Sequence, residues 1–198
     1  MGSDNPSGAD NQQERSSSKT WLDEVPYDLG HYIAGFVDGE GSFNVPIRRS
    51  VDRGLPFRVS LSFNVSQIGP EMPNLLRSVF GAGTVRGRGD GVWYFEITKP
   101  VELEARALPF FERFEVRGAK VRDLAVFREI TAKVQAGRHL TVEGIIEILA
   151  LRGPMNRGGK RRRTDDEIVE ALKKWKSSEA IRRAPVLKSQ GEDMVHAP

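Results

Sequence analysis

Tyr32-Ile-Ala-Gly-Phe-Val-Asp-Gly-Glu-Gly-Ser-Phe43 is an apolar run with two glycines four residues apart and two acids near its end. Residues four apart on a helix share one face, so Gly35 and Gly39 leave bare backbone on a single side. Glycine costs a helix interior roughly 0.5–1 kcal/mol relative to alanine, so the pair needs a physical reason. We expect a second helix to pack against this bare strip. The carboxylates of Asp38 and Glu40 would then lie at the helix end, where a hard divalent cation can bind.

Length and composition limit the class of protein. The 198 residues suffice for one ordinary domain with an appendage and a real core. Thirty basic against 27 acidic residues give a net charge of +3, too small to identify a nucleic-acid binder. The absence of cysteine excludes disulfides and thiolate zinc sites and favours a reducing compartment. No apolar run approaches the roughly 20 residues of a membrane span. We therefore expect a soluble, intracellular protein without a membrane partner, not secreted, in a compartment that contains DNA.

The hydrophobic periodicity predicts an α+β fold. A helix is expected from Asp28, its N-cap, to about Asp38, and from Ser42 the period changes to two. Apolar and polar residues then alternate without a break from Phe57 to Ser66, which indicates a sheet with one wet face. A helix ending at Gly81 follows, then strands over 83–88 and 92–98 and helices over 101–111 and 119–134. This order predicts a four-stranded antiparallel sheet with helices on one face.

Four regions are expected along the chain. Residues 1–20 and 179–198 are predicted to be disordered tails, and 21–137 the folded core. Residues 138–178 are predicted to form a helical extension. One helix begins at Thr141 and is stopped after Leu151 by glycine and proline; a capping box at Thr164 begins another, to about Trp175. A basic run at 157–163, including Lys160 and Arg161, lies between them and can either contact phosphates or be a solvated loop.

The outward face of the predicted sheet combines arginine, amide and hydroxyl side chains. Arginine reads guanine, asparagine reads adenine, and serine bonds to a base or a phosphate. A β-ribbon is also narrow enough to enter the major groove of DNA. An ordinary solvated face would carry more glutamate and lysine. We therefore expect double-stranded DNA to contact Asn44, Arg48, Arg58, Ser60, Ser62, Asn64, Ser66, Arg86, Arg88 and Tyr94, with Lys160 and Arg161 on phosphates.

The motif residues Ile33-Ala-Gly-Phe-Val-Asp-Gly-Glu-Gly41 resemble the signature of the LAGLIDADG homing endonucleases, with Glu40 where the family name has its second Asp. The resemblance extends through the order of elements to about Arg128. It implies an αββαββα core and an Mg²⁺- or Mn²⁺-dependent endonuclease that cuts double-stranded DNA across the minor groove, leaving short 3′ overhangs. It also implies an origin in a mobile intron or intein, and a start Met favours the intron.

One copy of the motif supplies too few ligands for a catalytic metal site, and no second copy occurs between residues 44 and 198. A homodimer solves this problem if the glycine faces of two chains cross at a two-fold axis, with each chain placing one Glu40 near a scissile phosphate. A roughly palindromic target follows from that symmetry. The expected interface residues are Ala34, Gly35, Asp38 and Gly39.

The same resemblance assigns roles to individual residues. Glu40 takes the position of the metal-binding acid, with the backbone carbonyl of Gly39 as a further ligand. Gln67 matches a polar position that orders water around the scissile phosphate. Arg117 or Lys120 approaches the same phosphate, and the sequence leaves the choice open. Asp38 is expected to have a structural or capping role.

Two other functions remain open at this level. Some relatives of this fold act as RNA maturases, with intron RNA as the partner, or as DNA-binding regulators without cleavage. The presence of Glu40 keeps cleavage possible without proving it. A purely structural α+β module is the third alternative, and it would retain no DNA.

Overall fold

The computed structural model describes residues 20–50, 54–158 and 163–183. A 3-10 turn, Trp21–Glu24, leads into the motif helix. The helices are α1 Tyr27–Glu40, α2 Glu71–Phe80, α3 Pro100–Glu102, α4 Leu108–Arg113, α5 Lys120–Gln135, α6 Val142–Arg152 and α7 Asp165–Arg183. The strands are β1 Gly41–Asn44, β2 Ile47–Arg49, β3 Phe57–Val59, β4 Ser62–Ile68, β5 Thr84–Gly87 and β6 Val92–Ile97. No helix in the described ranges is long and apolar enough to cross a membrane.

The predicted four-stranded antiparallel sheet is confirmed. Its strand order is β1-β4-β6-β5, and every neighbouring pair is antiparallel. The helices cover one face of the sheet, where Phe43, Phe63, Val65, Phe95 and Ile97 are fully buried. The other face is open and carries the polar residues of the same strands. The α+β class with helices on one face therefore follows the periodicity in the sequence.

The prediction of one unbroken strand from Phe57 to Ser66 was wrong. Val45 and Pro46 interrupt one strand and Ser60 and Leu61 the other, so that β2 and β3 form a separate two-stranded ribbon. Pro46 has no N–H to donate and cannot continue a ladder on that side. Its carbonyl still accepts from the Ser60 N–H at 3.0 Å, so the ribbon stays joined to the sheet.

Phenylalanine rings fill the space between the sheet and the helices. Phe43 stacks on Phe63 from the neighbouring strand, with ring centroids 5.2 Å apart. Phe80 of α2 stacks on Phe95 of β6 at 5.7 Å. Edge-to-face contacts extend this cluster into α4, and offset or edge-on ring pairs contribute beyond the apolar area that they bury. This core fixes α1 and α5 relative to the end of the sheet.

Three helix boundaries differ from the sequence expectation. Helix α1 begins at Tyr27 after Pro26, so Asp28 lies in the first turn and is not the N-cap. The helix expected over 101–111 covers 100–113. It contains a π-helical turn, Leu103–Ala107, whose i→i+5 hydrogen bonds cannot be predicted from the sequence pattern. Helix α7 runs to Arg183, well past Trp175 and into the predicted tail.

The C-terminal extension packs on the core near β1. Thr141 caps α6 through a bond from the Gly144 N–H, and Thr164 and Glu167 form the predicted capping box of α7. Arg152 at the end of α6 is buried and donates to the Val45 carbonyl at 2.8 Å and to Asp165 at 2.5 Å. The extension is therefore connected to the strand that begins the sheet.

Candidate active site and nucleic-acid interface

The glycine face of α1 is open in the folded chain. A Cβ added to Gly35 or Gly39 would meet no atom of the described residues within 4 Å. Gly30 on the same helix is different, because its Cβ would lie 2.3 Å from the ring of Phe114. The ring of Tyr32 beside the open strip is 59% exposed. Gly35 and Gly39 therefore do not ease packing against any of the residues that the structure describes, and among these the strip is available to a second helix.

The other two predicted interface residues lie elsewhere. Ala34 is 1% exposed and belongs to the core of its own chain. Asp38 is partly buried and turns toward the segment that precedes α5. Among the four residues expected at the interface, the described structure thus leaves Gly35 and Gly39 on the open strip.

Asp38 holds the start of α5 against the end of α1. Its Oδ2 accepts from the backbone N–H of Arg117 at 3.0 Å and of Gly118 at 2.5 Å. A Cβ on Gly118 would lie 2.9 Å from both carboxylate oxygens, so this approach depends on glycine. Its Oδ1 is buried and has no hydrogen-bond partner in the described structure. One carboxylate therefore holds the backbone of Arg117 and Gly118, in the loop that leads into α5 and its first residue, Lys120.

We expect Asp38→Ala to release this loop, whereas Asp38→Asn keeps an acceptor oxygen and retains most of the contact. Each lost hydrogen bond to a charged group costs about 1.5–3 kcal/mol of stability, which a urea unfolding midpoint would report. Gly118→Ala is the matched variant, because it disturbs the same contact without changing charge. If Asp38→Ala left the unfolding midpoint unchanged, the loop would not depend on this carboxylate.

Glu40 and Gln67 lie toward the same end of the sheet. Helix α1 passes directly into β1 at Gly41, which pairs with Val65 of β4. Strand β4 continues beyond that pair through Gln67, on the side where α1 ends. Both side chains are exposed, and no described side chain pairs with Glu40. An unpaired carboxylate at an exposed helix end is free to bind a cation.

Lys120 shares a surface groove with the motif. The groove has a volume of about 860 Å³, and Asp38, Gly39, Lys120 and Arg122 are among the residues that line it. Arg117 contacts Asp38 through its backbone N–H, and the residue is exposed. Lys120 thus lines the motif groove and Arg117 does not; which of them approaches the phosphate stays a prediction.

The donor set around the motif fits a hard cation in part. Glu40 offers a carboxylate and Gly39 a carbonyl at the C-terminal end of a helix, and oxygen ligands suit Mg²⁺. Within the described ranges, no group of three His, Asp or Glu side chains could hold a metal. The described residues of one chain therefore supply only part of a coordination shell.

The residues expected to contact DNA occupy two connected surfaces. Asn44, Asn64, Ser66, Arg86 and Tyr94 lie on the open sheet face, where Ser66, Tyr94 and Arg86 are neighbours across three strands. The ribbon β2–β3 carries Arg48 and Arg58, with Ser60 just beyond it, and Arg88 lies in the turn between β5 and β6.

Several predicted contact residues have partners within the chain. Ser62 is 6% exposed, so burial removes it from the open surface on which it was expected. Arg88 donates to the Tyr94 hydroxyl at 2.7 Å and pairs with Asp90 at 3.0 Å. The bond to Tyr94 and then the charge of Asp90 raise the pKa of Arg88. These contacts fix the direction of the side chains before any ligand binds.

Two residues outside the predicted set belong to this surface. Asn156 donates to the Asn44 side-chain oxygen at 3.2 Å and to the Phe43 carbonyl at 3.0 Å. Glu96 lies on the open face beside Asn64. The alternation of β6 predicts that Glu96 faces outward, so the sequence could have identified it. No local pattern could have identified Asn156, because it lies 112 residues from Asn44. Lys160 and Arg161 lie outside the described residues.

Residues 33–131 match the model of the LAGLIDADG endonuclease family, half of the chain. The chain belongs to this family. The matched region contains the motif helix from Ile33 onward, the whole four-stranded sheet and most of α5.

The chain is also similar to individual members of the family. It is 28% identical over 152 residues to the homing endonuclease I-ApeII of Aeropyrum pernix, covering 73% of this chain and 90% of that protein. The crystal structure of the homing endonuclease I-TnaI has a TM-score of 0.65 and 32% identity, covering 72% of this chain and 97% of that one. The meganuclease I-SmaMI bound to uncleavable DNA has a TM-score of 0.62 and 30% identity, covering 66% and 45%.

The lengths of the relatives differ. The chain spans 24% and 27% of two probable intron-encoded endonucleases of Neurospora crassa, and 45% of the I-SmaMI chain. It spans nearly all of I-TnaI. A single LAGLIDADG unit of this length therefore exists both as part of longer chains and as nearly a whole chain.

Proposed function

We propose that this chain is a homodimeric, divalent-cation-dependent endonuclease that cleaves double-stranded DNA at a long, nearly palindromic site. The observation that carries the proposal is the open glycine strip of α1, which ends on the exposed and unpaired Glu40. Relatives named as homing endonucleases support the same activity. An origin in a mobile intron is supported by relatives named as intron-encoded.

The proposed dimer brings two glycine strips together. Because a Cβ added to Gly35 or Gly39 would meet no described atom outside its own helix backbone within 4 Å, a second copy of α1 can approach backbone to backbone. Tyr32 would lose its large exposed area in that contact. A two-fold axis along the strip places the Glu40 residues of both chains at one end of the paired helices.

The proposed catalytic centre forms where the two chains meet. Glu40 and the Gly39 carbonyl of each chain would hold Mg²⁺ or Mn²⁺, which neutralises charge that develops on the phosphate and lowers the pKa of bound water. Lys120, in the groove beside Gly39, would approach the scissile phosphate, with Arg117 as the other candidate. Gln67 would order water at the same end of the sheet.

The basic ribbon supports contact with the DNA backbone. Arg48 and Arg58 are direct cross-strand partners, and both are exposed. Like charges placed opposite each other destabilise a strand pair, and neither has a carboxylate partner among the described residues. A phosphate between the two guanidinium groups would remove this cost. The open sheet face next to the ribbon would then read base edges in the major groove.

The test begins by selecting duplexes that the full chain binds from a randomised library in the absence of divalent cations. A plasmid that carries the selected site should be cut at one position with Mg²⁺ and remain intact with EDTA. Specific binding should weaken steeply between about 50 and 200 mM salt because phosphate contacts release counterions. Sedimentation should show a species near twice 22.1 kDa.

Each other result points to a different function. Site-specific binding without cleavage in either Mg²⁺ or Mn²⁺ would indicate a DNA-binding regulator. Preferential retention of folded intron RNA would indicate a maturase. Retention of neither nucleic acid would leave a structural module. A strict monomer on DNA would contradict the shared catalytic centre.

A further inference from the structure

A carboxylate lies in the middle of the surface that the proposed function assigns to DNA. Glu96 of β6 is paired in register with Asn64 of β4 on one side and with Thr84 of β5 on the other. Its side chain is 23% exposed. A negative charge here is unfavourable next to phosphates, so its presence on a DNA-facing surface requires a specific partner.

Glu96 is held in place by two donors. Its Oε1 accepts from the Ser62 hydroxyl at 2.8 Å, and its Oε2 lies 3.4 Å from Nη2 of Arg86. Ser62 in turn accepts from the Asn64 amide at 3.1 Å. The guanidinium carbon of Arg86 also lies 5.7 Å from the ring centroid of Tyr94. Glu96 and Arg86 therefore form a positioned pair rather than two independent surface charges.

The pair has the hydrogen-bonding pattern of one base pair. The Arg86 side chain is 66% exposed and keeps donors that can reach outward, while Glu96 keeps free lone pairs. In the major groove a C·G pair shows the amino donor of cytosine next to the O6 and N7 acceptors of guanine. Arginine bonds to the guanine acceptors and glutamate accepts from the cytosine amino group.

We propose that Glu96 and Arg86 together read a single C·G base pair in each half of the target. This inference rests on the proposed function, because it needs the open sheet face to lie in the major groove. Glu96 bonds to the cytosine amino group and holds Arg86 over the guanine of the same pair. Ser62 acts from beneath the surface by fixing the carboxylate.

The experiment compares the base preferences of the wild-type chain, Glu96→Gln and Arg86→Ala by sequencing selected duplex libraries. Both variants should relax the same base pair of each half-site, by about tenfold. Glu96→Gln should in addition enrich adenine at the cytosine position, because a Gln amide pairs with adenine. Glu129→Gln, an exposed acid on α5, controls for the change in net charge.

The outcomes separate this inference from the function on which it rests. If the wild type selects a site but the two variants affect different base pairs, or leave preference unchanged, the pair does not read C·G and the endonuclease proposal stands. If the wild type retains no DNA, both proposals fail. Glu96→Gln keeps an acceptor oxygen for Ser62, and circular dichroism establishes that each variant is folded. Ser62→Ala should produce a weaker loss at the same base pair.

Discussion

Replacing Glu40 by Gln will abolish DNA cleavage and preserve DNA binding. The substitution keeps the shape of the side chain and removes the charge that a divalent cation needs. Because metal chemistry supplies several kcal/mol to a phosphodiester transition state, we expect the cleavage rate to fall by at least roughly 1,000-fold. Glu40 is exposed and unpaired among the described residues, so folding should not depend on it. The measurement is single-turnover cleavage of the selected duplex with Mg²⁺.

A second acid provides the control for this prediction. Glu71→Gln makes the same change at an exposed position in the first turn of α2. It should cleave at close to the wild-type rate. Affinity for the selected duplex should change by no more than about fivefold in either variant, or about 1 kcal/mol. Cleavage that persisted in Glu40→Gln would remove this residue from the catalytic centre.

Local periodicity was sufficient to predict the layers of the fold. Burial alternates along β1 and through most of β4, so the sequence identified which residues face the helices before any contact was known. The caps at Thr141 and Thr164 were also readable, because a cap and its partner lie three residues apart. The motif residues were found because their chemistry lies within ten consecutive positions.

Contacts between distant residues were not predictable from the sequence. Asn44 is held by Asn156, and Val45 by Arg152, across more than 100 residues. The same extension lines a groove of about 850 Å³ together with Asn44, Ser62 and Glu96. Side chains that the sequence suggests could contact bases independently are therefore joined in hydrogen-bond networks, which fix their orientations.

The glycines of α1 show the same limit. Gly30, Gly35 and Gly39 lie in one helix, yet Gly30 is pressed against Phe114 and the other two face open space. The difference depends on where a ring 84 positions away comes to lie, which no local pattern specifies. The sequence could identify a bare strip, and the folded chain was needed to show that it is unoccupied within the described residues.

Filling the bare strip should separate the two subunits of the proposed dimer without unfolding them. In a single chain, the Cβ of Gly35→Ala lies in the middle of α1 and would meet no described atom outside the helix backbone within 4 Å. The substitution should therefore stabilise the helix by about 0.5–1 kcal/mol. In the dimer each added methyl group must fit between close backbones, at a typical cost of 1–3 kcal/mol. Symmetry doubles that cost, so dissociation should increase by roughly 30-fold or more. Gly35→Leu should be monomeric at all accessible concentrations and inactive in cleavage.

Sedimentation equilibrium and thermal unfolding measure the two opposite effects of this substitution. The wild-type melting temperature should rise with protein concentration, as it does when folding is coupled to association, whereas that of Gly35→Leu should not. Gly30→Ala is the matched control, because it should lower the stability of the single chain, which Gly35→Ala should raise. Its added Cβ would lie 2.3 Å from the Phe114 ring, so it should destabilise each chain rather than the dimer contact. If Gly35→Leu still sedimented near twice 22.1 kDa, the subunits would meet through another surface, and the two Glu40 carboxylates would not share one site.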